Sequence, residues 1–167
     1  MFNFNYIELF KNFPPQLATF LIAMLPVAEL RASIPLALTF FKLEIWQAYF
    51  YSVLGTFFPG LLIIYLFDPV AKFLMKHFKI FDKFFTWLFK KTRFHHAVKF
   101  EKYGFLAILI IAATPLPLAG VWTSALASIL FNMPKRSSLL MIFLGTMISG
   151  FIVCLAFLGV LKAIKLF

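Results

Sequence analysis

Glu29 and Arg31 stand two residues apart in Pro26-Val-Ala-Glu29-Leu-Arg31-Ala-Ser-Ile-Pro35, with apolar runs at 17–25 and 36–41 on either side. At bilayer depth an ionisable side chain costs roughly 2.5–3.5 kcal/mol on insertion scales, so a chain that keeps two of them there is expected to use them. Pairs at i,i+2 do not face each other on an α-helix. In extended backbone between Pro26 and Pro35 they would point the same way. Arg31 could then hold an anionic group, such as a phosphate, in its planar fork of donors. Glu29 could take up and release a proton and so couple movement to a proton gradient. The plainer alternative is a structural ion pair that pins a turn.

A second interruption, Thr114-Pro115-Leu116-Pro117 followed by Gly120-Val-Trp122-Thr123-Ser124, carries no charge. Thr114, Thr123 and Ser124 offer hydroxyls, and broken helix ends offer unpaired N–H groups suited to anions. Trp122 could equally be a packing residue or an interface anchor.

The elements that must position these residues are membrane segments. Apolar residues make up 63% of the 167 and charged ones only 13%, against about a quarter charged in soluble domains. Mean hydropathy is +0.95. Four apolar blocks, 14–41, 45–67, 104–131 and 137–161, follow one another without a polar linker, which predicts a single membrane domain. The second and fourth blocks are long enough to span the roughly 30 Å hydrocarbon core. Proline breaks the first and third near their centres, removing a backbone donor and biasing the preceding residue away from helix. Each half is then about 15 Å of helix, half a membrane. Two halves joined at a central tip make a re-entrant hairpin; the alternative is four spans kinked at proline.

The blocks also repeat at an offset of 90. Leu54-Gly55-Thr56 with Gly60 returns as Leu144-Gly145-Thr146 with Gly150, and Ala23/Ala113 and Phe41/Phe131 match. Glycines let membrane helices approach closely, so Gly55, Gly60, Gly145 and Gly150 are expected to pack each span against a hairpin. The resulting fold is all-α. Two inverted repeats (14–67 and 104–161), each a re-entrant hairpin followed by a transmembrane helix, are joined by a basic amphipathic helix over 69–100.

In that linker Lys72, Lys76, Lys79, Lys83 and Lys90 share one helical face, and Val70, Leu74, Phe78, Phe81, Phe85 and Leu88 share another. Such a helix lies in the membrane interface. With Lys91, Arg93, Lys99 and Lys102 added, loop 69–102 is expected to be cytoplasmic and near anionic headgroups, in a multi-pass protein of the cell (inner) membrane. A net charge of +10 does not point to nucleic acid, because the cations are mostly Lys in this one block and no nucleic-acid motif accompanies them. Enzyme chemistry is not expected either. His77, His95 and His96 have no acidic or cysteine partners at metal-ligand spacing, and no nucleophile elbow or phosphate loop is present. Neither cofactor nor metal is therefore expected. Cys154 reads as a small buried hydrophobe, and the N-terminal residues do not read as a cleaved signal peptide.

Leu25-Pro-Val-Ala-Glu29-Leu-Arg31-Ala-Ser-Ile-Pro35, with Thr114-Pro-Leu-Pro117, Gly120, Trp122 and Thr123, resembles the small multidrug export protein family. That family pairs P-x-x-E-L-R-x-x-I-P with a later P-L-P-G-T-G-A-W-T-G. The chain departs from it with Leu118 and Ser124 in place of Gly and Ala119 in place of Thr. The family is similar in architecture to the DedA (SNARE-associated/VTT) superfamily, whose two re-entrant hairpins face each other and whose members are associated with moving lipid phosphates, including undecaprenyl phosphate. The resemblance implies that Arg31 meets a phosphate headgroup and that Glu29 is the proton-linked carboxylate.

The expected function is a proton-coupled secondary transporter or lipid-phosphate flippase. Its substrate and proton residues would be Glu29, Arg31, Pro26, Pro35, Thr114, Pro115, Pro117, Gly120, Trp122 and Thr123. A non-transporting lipid-binding or assembly factor is the alternative. Small-cation drug efflux ranks lower, because Arg31 would oppose the cation that Glu29 attracts. Two spans and two hairpins are few to enclose a pathway, so a homodimer is expected.

Overall fold

A computed structural model describes residues 13–77, 103–115 and 120–166, and these form helices and no strand. In chain order they are α1 (Pro15–Ala23), α2 (Glu29–Thr39), α3 (Ile45–His77), α4 (Tyr103–Ala113), α5 (Val121–Leu130) and α6 (Lys135–Leu166). α3 and α6 are long and apolar enough to cross a membrane. At 33 and 32 residues they are about 50 Å long, more than the hydrocarbon core requires.

Proline sets several boundaries. Pro15 stands in the first turn of α1, where its missing N–H has no partner to lose. That helix closes when Met24 N–H turns back to Phe20 and Leu21 carbonyls, two residues before Pro26. The turn 24–28 is tied by Leu25 N–H to Ile22 O (3.1 Å) and Glu29 N–H to Leu25 O (3.0 Å). α2 then packs back on α1.

Elsewhere proline does not stop the chain. Pro35 lies inside α2, and Pro59 and Pro69 lie inside α3. The boundary expected near 67–69 is therefore absent: α3 continues through Pro69 to His77, and the remainder of the basic segment, 78–102, lies outside the described residues. One missing ladder bond and a ring that crowds the preceding turn kink a helix, but apolar packing on either side can carry it through.

The chain forms two compact units whose limits cut through both long helices. The first joins the residues up to Phe58 with those from Thr146 onward; the second runs from Pro59 to Gly145. Each unit thus holds one pair of short helices with one half of α3 and one half of α6, a division that differs from the sequential blocks read in the sequence. On α3 the boundary falls at Pro59, where the helical ladder lacks a bond.

Within the first unit the halves of α3 and α6 are in contact. Tyr49 Oη donates to Met147 O (2.9 Å), and Gly150 faces Tyr49 and Val53. Within the second unit Gly60 faces Val121 and Ile142, and Lys135 pairs with Asp68 while lying 6.0 Å from the Tyr65 ring. Gly150 therefore faces the other long helix rather than a short pair, whereas Gly55 lies against Phe20 and Ala23 of α1 and Gly145 against Leu109, Ala112 and Ala113 of α4.

The two turns that lead into the long helices are alike. Lys42 and Asn132, 90 residues apart, both have φ of 52°. Leu43 N–H reaches Ala37 O and Met133 N–H reaches Ser128 O, closing the ends of α2 and α5. Over 41–50 and 131–140 the order of buried, half-buried and exposed residues is the same position by position.

Candidate functional site

The first turn of α2 carries both ionisable residues. Glu29 is buried at 8% exposure, and Arg31 Nη2 lies 3.9 Å from Glu29 Oε2. That distance is an ion pair outside direct hydrogen-bond reach. The carboxylate side chain is 10% exposed and the guanidinium side chain 27%, so the acid lies deeper than the base.

The extended backbone expected here is replaced by helix, and the two side chains meet for a different reason. Glu29 has φ of +42°, in the left-handed region, while it opens α2. A non-glycine residue in that region costs roughly 1–2 kcal/mol. Within the turn that joins α1 to α2, the left-handed dihedral falls on the acidic residue. Glu29 is also in the first turn of α2, where the helix dipole favours a negative charge.

Pro26 and Val27, at the tip of the turn, are exposed, Val27 at 83%. Pro35 is half-buried and supplies no N–H to the helical ladder. Thr39 Oγ1 donates to Pro35 O at 2.7 Å. One turn beyond Glu29, the Ser33 hydroxyl is fully buried and makes no hydrogen bond among the described residues.

Thr56 fixes the height of this turn along the first unit. Its Oγ1 donates to Ala23 O, the last residue of α1, at 3.3 Å. Thr56 lies midway between residues 45 and 67, the apolar stretch of α3. Gly55 beside it lets α1 approach, since a Cβ there would lie 2.8 Å from Ala23 Cβ.

The second interruption, in the other unit, offers less free chemistry than its composition suggested. Thr114 Oγ1 donates to Ile110 O (2.6 Å), Thr123 Oγ1 to Gly120 O (3.1 Å) and Ser124 Oγ to Ile108 O (3.4 Å). All three hydroxyl protons are thus engaged by backbone carbonyls. Gly120 is buried with φ of 133°, a conformation open to glycine, and caps α5 without a side-chain bond. The Trp122 indole N–H is buried and makes no hydrogen bond among the described residues. Pro115 is half-buried, and Pro117 falls in 116–119, outside the described residues.

A sequence profile described as "Putative small multi-drug export protein" matches residues 29–152, beginning at Glu29 and covering most of the chain. The chain belongs to this family. With two helices among the described residues long enough to span a bilayer, family membership makes it a membrane protein of transporter-like type. No curated protein and no solved structure matches it.

Ser33 and Thr56 were not singled out as site residues in the sequence. Ser33 was detectable, because i+4 from Glu29 places it on the same helical face. Thr56 appeared only as part of the repeated Leu-Gly-Thr string; nothing in one sequence says that its hydroxyl ends on Ala23.

Proposed function

We propose that this protein is a proton-coupled secondary transporter of the cytoplasmic membrane, acting on an amphipathic substrate with a phosphate-like anionic group, of which a lipid phosphate such as an undecaprenyl-phosphate-like carrier is the leading case. The observation that carries the reading is the buried Glu29–Arg31 pair, in a strained turn held beside the midpoint of the apolar stretch of α3. A turn at that height fits a hairpin that enters the membrane halfway and returns. The shared φ at Lys42 and Asn132, and the contacts of Gly55 and Gly145 with the first helix of each short pair, support reading the halves as inverted repeats.

The chemistry follows from charge balance. The ion pair is neutral, so its burial is tolerable. A monoanionic headgroup that draws Arg31 away leaves Glu29 without its cation in a poorly hydrated setting, and one proton taken up there restores neutrality. Loaded and empty sites are then both uncharged, and each negative charge on the substrate travels with one proton. Small-cation export, which the family description suggests, is less well served: a cation would have to displace or tolerate Arg31 next to the carboxylate it seeks. The basic loop on the cytoplasmic side, anionic headgroups around it and a homodimeric assembly complete the proposal, with no enzymatic step.

The test is reconstitution in liposomes carrying a fluorescent lipid phosphate and a pH gradient. Wild-type protein should move the lipid in response to the gradient. Glu29→Gln should abolish the response while keeping its fold, and Arg31→Gln should lose phosphate selectivity. Wild-type rates equal to empty liposomes, or a Glu29→Gln variant that still responds to pH, would overturn the reading.

A further inference from the structure

Ser33, like Ser52, is a buried hydroxyl of the first unit that the proposed mechanism leaves without a task, and Ser33 shares its helix with Glu29. Its residue is 0% exposed, and its hydroxyl has neither a donor nor an acceptor partner among the described residues. A buried hydroxyl left unmade costs about 1–3 kcal/mol, and an alanine would avoid that cost in the same space. Serines in helices usually satisfy themselves on the carbonyl one turn back. Thr19 and Thr39 do so, on Pro15 and Pro35 respectively, and Ser33 does not.

Its position relative to Glu29 is set by the helix. Both residues lie in α2 at i and i+4, the spacing of neighbours along one helical face, with Glu29 opening the helix in the left-handed region. Glu29 is likewise buried, so that face is the interior one. Side chains on a helix lean toward its N-terminus, which directs the Ser33 hydroxyl back toward Glu29. Arg31, the current partner, stands at 3.9 Å on a more exposed face.

We propose that Ser33 is the second station of the Glu29 carboxyl: a positioning residue that receives the carboxyl by a direct hydrogen bond when Arg31 is engaged elsewhere. A hydroxyl suits this role because it can donate to a carboxylate and accept from a protonated carboxyl. The carboxyl then swings between a cation on the exposed side and a hydroxyl on the buried side, which gives the protonated form a defined geometry. The inference deepens the transport reading and rests on it for its purpose, though the Glu29–Ser33 bond itself can be tested alone.

Among the described residues few other groups compete for Glu29. α1, packed against α2, carries no ionisable side chain. In the halves of α3 and α6 belonging to the same unit, the ionisable side chains up to Val160 are Tyr49, Tyr51 and Cys154, and Tyr49 already donates to Met147 O. Lys42 and Glu44 lie beyond the far end of α2.

Infrared difference spectroscopy of the reconstituted full chain during acid titration reads this bond directly. The protonated carboxyl of Glu29 should give a C=O band that Glu29→Gln removes. Ser33→Ala should move that band to the higher frequency of a carbonyl with no hydrogen bond, and Ser33→Thr, which keeps the hydroxyl, should restore it. A Glu29 band at the same frequency in wild type and Ser33→Ala would overturn the inference and leave the transport reading intact. A second arm adds vesicles containing a dialkyl phosphate at neutral pH. Appearance of the Ser33-sensitive band there joins the two ideas; a band seen on acidification but never on adding phosphate keeps the Ser33 bond and counts against the transport reading.

Discussion

Gly145 is the position at which the packing argument makes its sharpest demand. A Cβ built there would lie 2.6 Å from Ala112 Cβ, 2.7 Å from Leu109 O and 3.0 Å from Ala113 N. Comfortable carbon contacts lie at about 3.5–4.0 Å, so α4 would have to retreat by about 1 Å. Two of the three obstructing atoms are backbone and cannot rotate away. Overpacking of this kind costs about 1–3 kcal/mol, while exchanging glycine for alanine within a helix returns about 1 kcal/mol of propensity. Gly159 separates the two terms: it lies on the same helix and would meet nothing within 4 Å. Gly159→Ala should therefore be neutral or slightly stabilising, and Gly145→Ala should be less stable than it by about 1–3 kcal/mol. At about 2–4 °C per kcal/mol for a chain of this size, the two melting midpoints should differ by several degrees. Thermal unfolding in detergent, followed by tryptophan fluorescence, measures the difference. A Gly145→Ala protein that melts at or above Gly159→Ala would refute the close approach of α4 to α6.

Three further outcomes follow from particular contacts. Glu29→Gly should relieve a left-handed residue whose strain is roughly 1–2 kcal/mol, so its melting midpoint should hold or rise while pH-driven transport is lost; a large drop in midpoint would mean that the Arg31 pair outweighs the strain. Thr56→Val keeps the volume but removes the bond to Ala23 O, and chemical denaturation should report a loss of about 0.5–1 kcal/mol, with Thr56→Ser largely preserving stability. Asp68→Asn breaks the exposed pair with Lys135 and should cost less than about 1 kcal/mol, shrinking further in high salt; a salt-independent loss would show that the pair is more desolvated than its 43% and 48% side-chain exposure implies.

Composition and pattern fixed the class of molecule and the places where helices break. Apolar blocks of 20 residues or more leave little alternative to membrane helices, and Pro26 and Pro115 stand in the breaks that follow the first short helix of each interrupted block. The pairing of an acid and a base at 29 and 31 was equally legible, because so few charges occur in that stretch. Less legible were the continuation of α3 through Pro69 and the helical backbone at Glu29, since a proline states a local preference that packing on both sides can override.

Tertiary structure alone decided which of these pieces pack together. The sequence displayed Gly55, Gly60, Gly145 and Gly150 as two equal stripes, yet Gly55 and Gly145 admit short helices, Gly60 admits Val121 and Ile142, and Gly150 admits the other long helix. The sequence offered hydroxyls at Thr114, Thr123 and Ser124, and the backbone claimed all three. It also gave no sign that Glu29 would open α2 at φ +42° or that the Ser33 hydroxyl would be buried with no hydrogen-bond partner among the described residues. Hydrophobicity and proline act through each residue's own solvation and dihedrals, which the chain carries with it. Hydrogen-bond partners and close approaches depend on residues far apart in the chain, and exist only once the helices have packed.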